Sequence, residues 1–592
     1  MRSYELNDME KGGVYPDKDQ STTPDYSSGR GEPSYEAVTH IQNGIGRRFV
    51  DSFRRDPTLT TTPPGVVGAN GRVFNPQVAA AATANSPLAR RLKGRHLQMI
   101  AIGGSIGTGL FVASGKSLAT GGPASLIICF TLIGLMLYCT VHALGEMAVL
   151  FPVSGSFSAY STRFLDPAWG FAMGWNYAMQ WLVVLPLEII AASITIDFWD
   201  TDQRYKHAIF VTVFLVTIIS INMFGVKGYG EAEFFFAIVK VVAIIGYIGG
   251  LDPEGYAVGK LWSNPGAFNN GFKGLCSVFV TAAFAFAGTE LVGLAAAETQ
   301  NPRKSLPTAV KQVFWRITLF YIVSLILVGL LVPYTDERLL TAGSANAAAS
   351  PFVISIQNAG IDVLPSVMNA VILVAVLSVG NSAVFGSSRT LAALADQGQA
   401  PKILGYVDRK GRPIVAVGVS SALGFLAYAA DSGSQGTVLD WMLALSGLSS
   451  IFTWGSICLA HIRFRRAWKM QGHSLDELAF RSQPGVFGSW VGFIFNVLIL
   501  IAQFWTGVWP TDYEQLGATG QVENFFLAYL AAPIVIVFYI GYKLLYRTSI
   551  MRCKDMDLKT GMRGLDLPAL MAEERAEKAA WPRWKKWYKT VC

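Results

Sequence analysis

Between about residues 97 and 546 the chain alternates long apolar runs with short polar links, each run about 18 to 30 residues long, enough to cross a bilayer. At 1.5 Å per residue, one such helix spans the roughly 30 Å hydrocarbon core. The pattern predicts twelve helices, near 97–120, 124–150, 168–200, 208–225, 231–250, 275–298, 307–333, 365–390, 413–430, 437–462, 487–509 and 525–546. The expected fold class is therefore an all-α polytopic membrane protein, with a twelve-helix domain over 97–546.

Residues 1–96 are rich in Ser, Thr, Pro, Gly and charge, the composition of a disordered tail. The stretch 547–592 is polar again and reads as a second tail. An even number of crossings puts both tails on one side. Links on that side carry fifteen Lys and Arg residues between Arg163 and Arg481, against six on the other (Lys116, Arg204, Lys206, Lys260, Lys273 and Arg338). The positive-inside rule makes the richer side, and both tails, cytosolic.

Composition sharpens this only a little. Charged residues are 15% of the chain, against about 25% in a soluble domain. The formal charge of +8 sits beside the apolar runs, which argues for membrane orientation and against nucleic acid as a partner. "MRSYELNDMEKGGVYPDKDQ" has no apolar core, so no cleavable signal sequence is expected. Cys129, Cys139, Cys276 and Cys458 lie in apolar runs, Cys553 and Cys592 in the C-terminal tail, and no spacing demands a disulfide.

The first run is odd. In "IAIGGSIGTGLF" glycine occupies four positions from 103 to 109, at about 0.8–1 kcal/mol of helix stability each. The spacing from Gly109 to Gly115 is wrong for a phosphate loop, and no strand precedes it for a dinucleotide fold. Gly103 and Gly107 also form a small-xxx-small pair suited to close helix packing. A second interruption, Gly288 and Glu290 in "SVFVTAAFAFAGTELVGLAAAE", falls mid-way along the sixth run. Both interrupted runs open a group of five helices, about 97–250 and 275–462. Five is odd, so the groups enter the membrane in opposite senses. Paired broken helices in inverted halves point to a transporter's midplane binding site. The halves show no residue-level similarity, so the repeat rests on topology.

An interrupted helix exposes N–H groups where its second half starts and C=O groups where its first half ends, with about half a unit charge of opposite sign at each. Such backbone is tolerated in lipid only where it lines a cavity. A zwitterion is the complement. Its carboxylate would meet the N–H groups around Ser105 to Gly109, and its ammonium the carbonyls near Ala101, Ile102 and Phe284 to Ala287.

"LKGRHLQMIAIGGSIGTGLFVASG", "FAFAGTELVGLAAAETQNPRKSLPTAVKQVFWRITLFYI", "VLSVGNSAVFGSSRTLAALADQGQAPK" and "YVDRKGRP" resemble the fungal amino-acid permeases of the amino acid–polyamine–organocation superfamily. The likeness runs from about residue 88 to 590 and is nearest to the general, broad-range branch, as "WLVVLPLEIIAASITIDFW" and "PRWKKWY" also suggest. It implies a five-plus-five inverted-repeat (LeuT-like) fold with helices 1 and 6 broken, a plasma-membrane location and proton-coupled amino-acid uptake. The coupling ion is the proton, and no other cofactor is expected. Candidate substrate contacts are Ile102, Ser105, Gly107, Thr108 and Gly109 on the first helix. On the sixth they are Phe284, Ala285, Phe286, Gly288, Thr289 and Glu290, and on the eighth Ser378.

Lys240 lies midway along the fifth run, about 13 Å from either end, too deep for comfortable snorkelling. Related transporters use a lysine here in place of a sodium ion, which makes Lys240 the candidate proton-coupling cation. Glu188 and Glu290 are equally deep. Each is either a structural partner or a group that meets a substrate ammonium or carries a proton; the resemblance favours substrate or gate chemistry for Glu290. Phe284 and Phe286 are either packing or gating aromatics, and Ser378 and Asn381 either substrate contacts or glue between helices. In the tails the resemblance implies ubiquitin acceptance at Lys11 and Lys18, hence ubiquitin-ligase and endocytic partners. It also implies a lipidated cysteine near the end, for which Cys592 is the candidate, although Val591 replaces the usual preceding aromatic.

No His or Cys cluster, serine elbow or carboxylate pair suggests an enzyme, and no nucleotide-binding domain follows the helices as a pump would need. The expected function is amino-acid import by proton symport. Alternatives are an amino-acid sensor with little transport, or a narrow permease for proline, basic or aromatic amino acids.

Overall fold

A computed structural model of the chain describes residues 51–55, 74–200, 202, 204–249, 259–341, 350–431, 435–562 and 581–582. Lys11, Lys18 and Cys592 lie outside the described residues. Among those described, every regular element is a helix, and one isolated parallel bridge joins Leu92 to Thr299.

The N-terminal stretch is not tail-like all the way to residue 96. Pro76–Ala84 forms α1, alanine-rich with proline in its first turn, both of which favour a helix start. The Asn75 side chain caps it by accepting from the N–H groups of Gln77 and Val78, at 3.0 and 3.3 Å. Phe74 beside it meets Tyr542 edge-on at 6.3 Å. The expected C-terminal tail is likewise packed at its start. Met551 donates to the Leu165 carbonyl (2.9 Å), Arg163 donates to that of Thr560 (3.0 Å), and Met556 and Leu558 are buried.

The first expected helix divides into α2 (Gly94–Gly103) and a π-helical turn, Gly109–Ala113, that continues into α3 (Ser114–Leu150). α3 also absorbs the second expected helix. At Gly122 the backbone takes φ 79° and ψ 171° ahead of Pro123, so the chain folds over where the sequence places a link. A short α4 (Phe157–Phe164) leads into α5 (Pro167–Thr195). Then come α6 (His207–Met223), α7 (Gly225–Gly249), α8 (Gly271–Phe286), α9 (Leu291–Ala295) and α10 (Pro302–Arg316). The last of these runs through a π-helical stretch, Ile317–Val323, into α11 (Ser324–Leu331). After α12 (Glu337–Thr341) and α13 (Pro351–Asn358) follow α14 (Leu364–Asp396), α15 (Ile414–Leu423), α16 (Gln435–Met470), α17 (Gly485–Val508), α18 (Ala518–Tyr529) and α19 (Ala531–Tyr546).

By length and apolarity, eight of the described helical stretches suffice to cross a membrane, and α18 with α19, bent by 62°, makes a ninth. That measure falls short of the twelve expected because the first two runs are joined in α3. In addition, His207–Met223 and Ile414–Ala429 are shorter apolar helices. α5 and α14 pack along each other through the middle of the bundle. Most residues of the stretch containing α8 and α9 and of that containing α5 are buried, against eight of the 25 in α7, so the first two lie in the interior and α7 offers most of its surface outward.

The basic residues gather at one end of the bundle with their partners. Glu146 meets Arg465 at 2.5 Å, His461 at 3.1 Å and the Ser482 N–H at 2.7 Å. Arg389 lies 3.4 Å from Glu298, and Arg412 2.6 Å from Asp408. At this basic end Leu92 donates to the Glu298 carbonyl and accepts from Gln300 N–H, both at 3.0 Å. The segment ahead of α2 is thus tied to the chain just after α9.

Candidate functional site

The two interruptions lie against each other. The sixth run breaks between Phe286 and Leu291, where Gly288 takes φ 95°. A Cβ on Gly288 would strike the Gly104 carbonyl, and one on Gly109 the Cα of Ala285. On Gly103 it would strike the Glu233 carboxylate, and on Gly107 the Val379 side chain at 2.5 Å. Close packing and interruption of the helix are therefore properties of the same glycines. Gly288 supplies the left-handed backbone, while the cluster at 103–109 makes room for it.

The freed carbonyls find an unexpected donor. The Tyr321 hydroxyl lies 2.9 Å from the Ser105 carbonyl and 2.8 Å from that of Ala285, so it bridges the breaks. Phe286 stacks on its ring at 4.1 Å. Thr289 donates to the Phe286 carbonyl (2.8 Å) and accepts from Arg316 (2.6 Å). Glu290 is held by the Gly288 N–H (3.2 Å), the Tyr177 hydroxyl (3.0 Å) and the Trp454 indole (3.2 Å). Tyr321→Phe should remove the single hydroxyl proton that these two buried carbonyls share and cost about 1–3 kcal/mol. Detergent melting of the variant against the parent checks this, and an unchanged Tm would show that the hydroxyl contributes nothing.

Between the broken segments lies a narrow cavity of about 10 Å³, the space of roughly one water. Of the residues singled out in the sequence, Ser105, Gly107, Thr108, Gly109, Phe284 and Glu188 line it. Ile102, Ala285, Phe286, Gly288, Thr289 and Glu290 belong to the surrounding breaks, not to its wall. Trp181, Val184, Ala287 and Val379 complete the lining. Trp181 had a sequence signal: it precedes Glu188 by seven residues, two helical turns, and so shares its face. Glu188 is buried and accepts from the Thr108 hydroxyl at 2.5 Å. One wall is the start of the Gly109–Ala113 turn and the other the end of α8, helix ends of opposite partial charge.

Lys240 and Ser378 form a second focus. The Lys240 ammonium, fully buried, donates to the Gly103 carbonyl at 2.6 Å and to the Ser378 hydroxyl at 2.8 Å. Ser378 in turn donates to Glu233 at 2.9 Å, and Asn381 donates to the other oxygen of that carboxylate at 3.2 Å. Asn222 donates to Asn381 at 2.8 Å. Glu233 was not singled out in the sequence, although it lies two turns before Lys240 on one face. Among the described residues no cluster of His, Cys, Asp and Glu suited to a metal occurs.

The family model described as amino acid permease matches residues 96–555, most of the chain and all of both foci. The chain belongs to the amino-acid permease family. A general amino-acid permease of Candida albicans is 57% identical to this permease over 559 residues, 92% of this chain and 93% of that one. A general amino-acid permease of Saccharomyces cerevisiae is 52% identical over 577 residues, 94% of each chain. An S-adenosylmethionine permease of C. albicans is 50% identical over 507 residues, 83% of this chain and 82% of that one. The permease is thus a multi-pass membrane transporter of the amino-acid class and not an enzyme, with fungal relatives.

Proposed function

We propose that the permease imports amino acids across the plasma membrane by proton symport, with a broad substrate range. The observation that carries this reading is Lys240, a buried ammonium that ties the end of α2 to α14 through Gly103 and Ser378. Protonated, it holds the inner half of the first broken helix in place; deprotonated, it loses its charge-assisted bonds. Proton occupancy and the position of α2 are then linked.

The cavity lining supports breadth. The opposed helix ends complement the carboxylate and ammonium common to all α-amino acids. Trp181, Val184, Phe284 and Val379 offer apolar surface to varied side chains, and Glu188, held by Thr108, is the one acidic residue of the lining. The two general amino-acid permeases among the relatives support the same range. In this reading the chain crosses the membrane twelve times in five-plus-five inverted repeats followed by two further helices. The basic end is cytosolic with both termini, and Lys11, Lys18 and Cys592 serve tail-based regulation through ubiquitin ligases, endocytic machinery and lipid.

Initial uptake of labelled neutral, acidic and basic amino acids in permease-deficient fungal cells, with and without a protonophore, tests the reading. Uptake of many types that collapses on protonophore addition is expected. Accumulation indifferent to protonophore would sink the coupling, and uptake confined to one compound, S-adenosylmethionine included in the panel, would sink the breadth. No uptake from protein at the cell surface would favour an amino-acid sensor over a transporter.

A further inference from the structure

We propose that Glu233 is the inner proton acceptor of the transport cycle and that Ser378 relays the proton to it from Lys240. The inference rests on the proton-symport reading above and adds the path by which the proton leaves the lysine.

Three observations carry it. Glu233 and Lys240 are both fully buried on α7, seven residues apart, a rise of about 10 Å along the axis. The start of α7 is at the basic end, where Arg412 donates to the Met223 carbonyl at 2.5 Å, so Glu233 lies between Lys240 and that end. The hydrogen bonds between them run in one sense: an ammonium can only donate and an ionised carboxylate can only accept. Lys240 donates to Ser378, and Ser378 donates to Glu233. A plain structural ion pair would put the charges in direct contact; here a hydroxyl stands between them.

The transfer balances without another reactant. A Lys240 N–H bond breaks as a Ser378 Oγ–H bond forms. The original Ser378 Oγ–H bond breaks as a Glu233 Oε2–H bond forms. Lys240 is left a neutral amine, Ser378 unchanged and Glu233 a neutral acid, so the buried charges cancel and the grip on Gly103 weakens. Asn381, itself held by Asn222, keeps Glu233 aimed at the serine. The titratable and charged groups facing this pair are Tyr229 on the same helix, with Arg389 and Glu298 beyond it, and Glu188 across from Lys240.

The test is E233Q in the full-length permease at the cell surface, measured for steady-state accumulation and for exchange of preloaded label against external amino acid. Glutamine still accepts from Ser378 but takes no proton. Accumulation should fall to a ratio of about one, because uncoupled uptake only equilibrates, and lose its dependence on external pH. Exchange, which needs no proton release, should persist. Wild-type accumulation with its pH profile intact overturns the proposal.

If E233Q does not reach the membrane, S378A and S378T put the same question while leaving both charges in place. Loss of accumulation in S378A with recovery in S378T supports the relay, and full accumulation in S378A overturns it. A wild-type permease indifferent to protonophore would instead sink the symport reading itself. Sensitivity of the parent together with an unaffected E233Q sinks only the relay.

Discussion

Lys240→Met should abolish concentrative uptake. Methionine has nearly the length of lysine but cannot donate, so the Gly103 carbonyl and Ser378 lose their donor, and Glu233 is left facing an apolar chain. Removing one member of a buried charge network costs about 3–5 kcal/mol when the other stays charged, so lost activity alone would not separate uncoupling from misfolding. The double variant K240M/E233Q removes the stranded charge and should recover surface abundance without recovering accumulation. Surface labelling together with the accumulation ratio at two external pH values reads both. Accumulation that survives with its pH dependence intact in K240M would end the role of Lys240 in coupling.

The second large effect is steric. Gly288→Ala adds a methyl group where the backbone has φ 95° and where the Gly104 carbonyl already fills the space. Left-handed strain and overpacking each cost about 1–3 kcal/mol, and both apply here because the atoms met are backbone and cannot rotate aside as a side chain could. Little mature protein should reach the surface, and what is purified should melt well below the parent. Gly246→Ala is the internal control: it lies in α7 with nothing within 4 Å of the added methyl. It should be neutral or stabilising by up to about 1 kcal/mol. Equal melting of the two variants would show that the breaks do not abut as described.

What the sequence discloses depends on how costly a residue is at its position. Glycines inside an apolar run and a lysine at mid-depth are expensive in any membrane helix, so the first break and Lys240 stand out before any fold is known. Glu233 does not. With the fifth run read as beginning at 231, a carboxylate at 233 sits in the first turn, where it is ordinary. The helix begins at Gly225, which places Glu233 more than two turns deep. Tyr321 is hidden for another reason: aromatics are common here, and a hydroxyl shared between two breaks is defined only once three segments meet. The stretch 74–96 misleads by composition. Its small residues look tail-like, but alanine after a proline and an asparagine cap makes a helix that the body of the protein then covers. The count of twelve depends on runs such as 208–225, whose helix is too short to be decisive by itself.

The bridge between Leu92 and Thr299 has a bearing on leakage. Because α2 packs against α9, any opening at the basic end has to part the two strands of chain that this bridge joins. Its two bonds run between main-chain atoms, so side-chain drift leaves them intact and only a proline at Leu92 or Gln300 would remove a donor. Together they contribute on the order of 1–3 kcal/mol to holding these two segments joined. That contribution is one which ordinary side-chain substitution cannot tune. The Glu298 and Arg389 pair beside it is then the part of the closure that mutation can adjust, trading turnover against tightness.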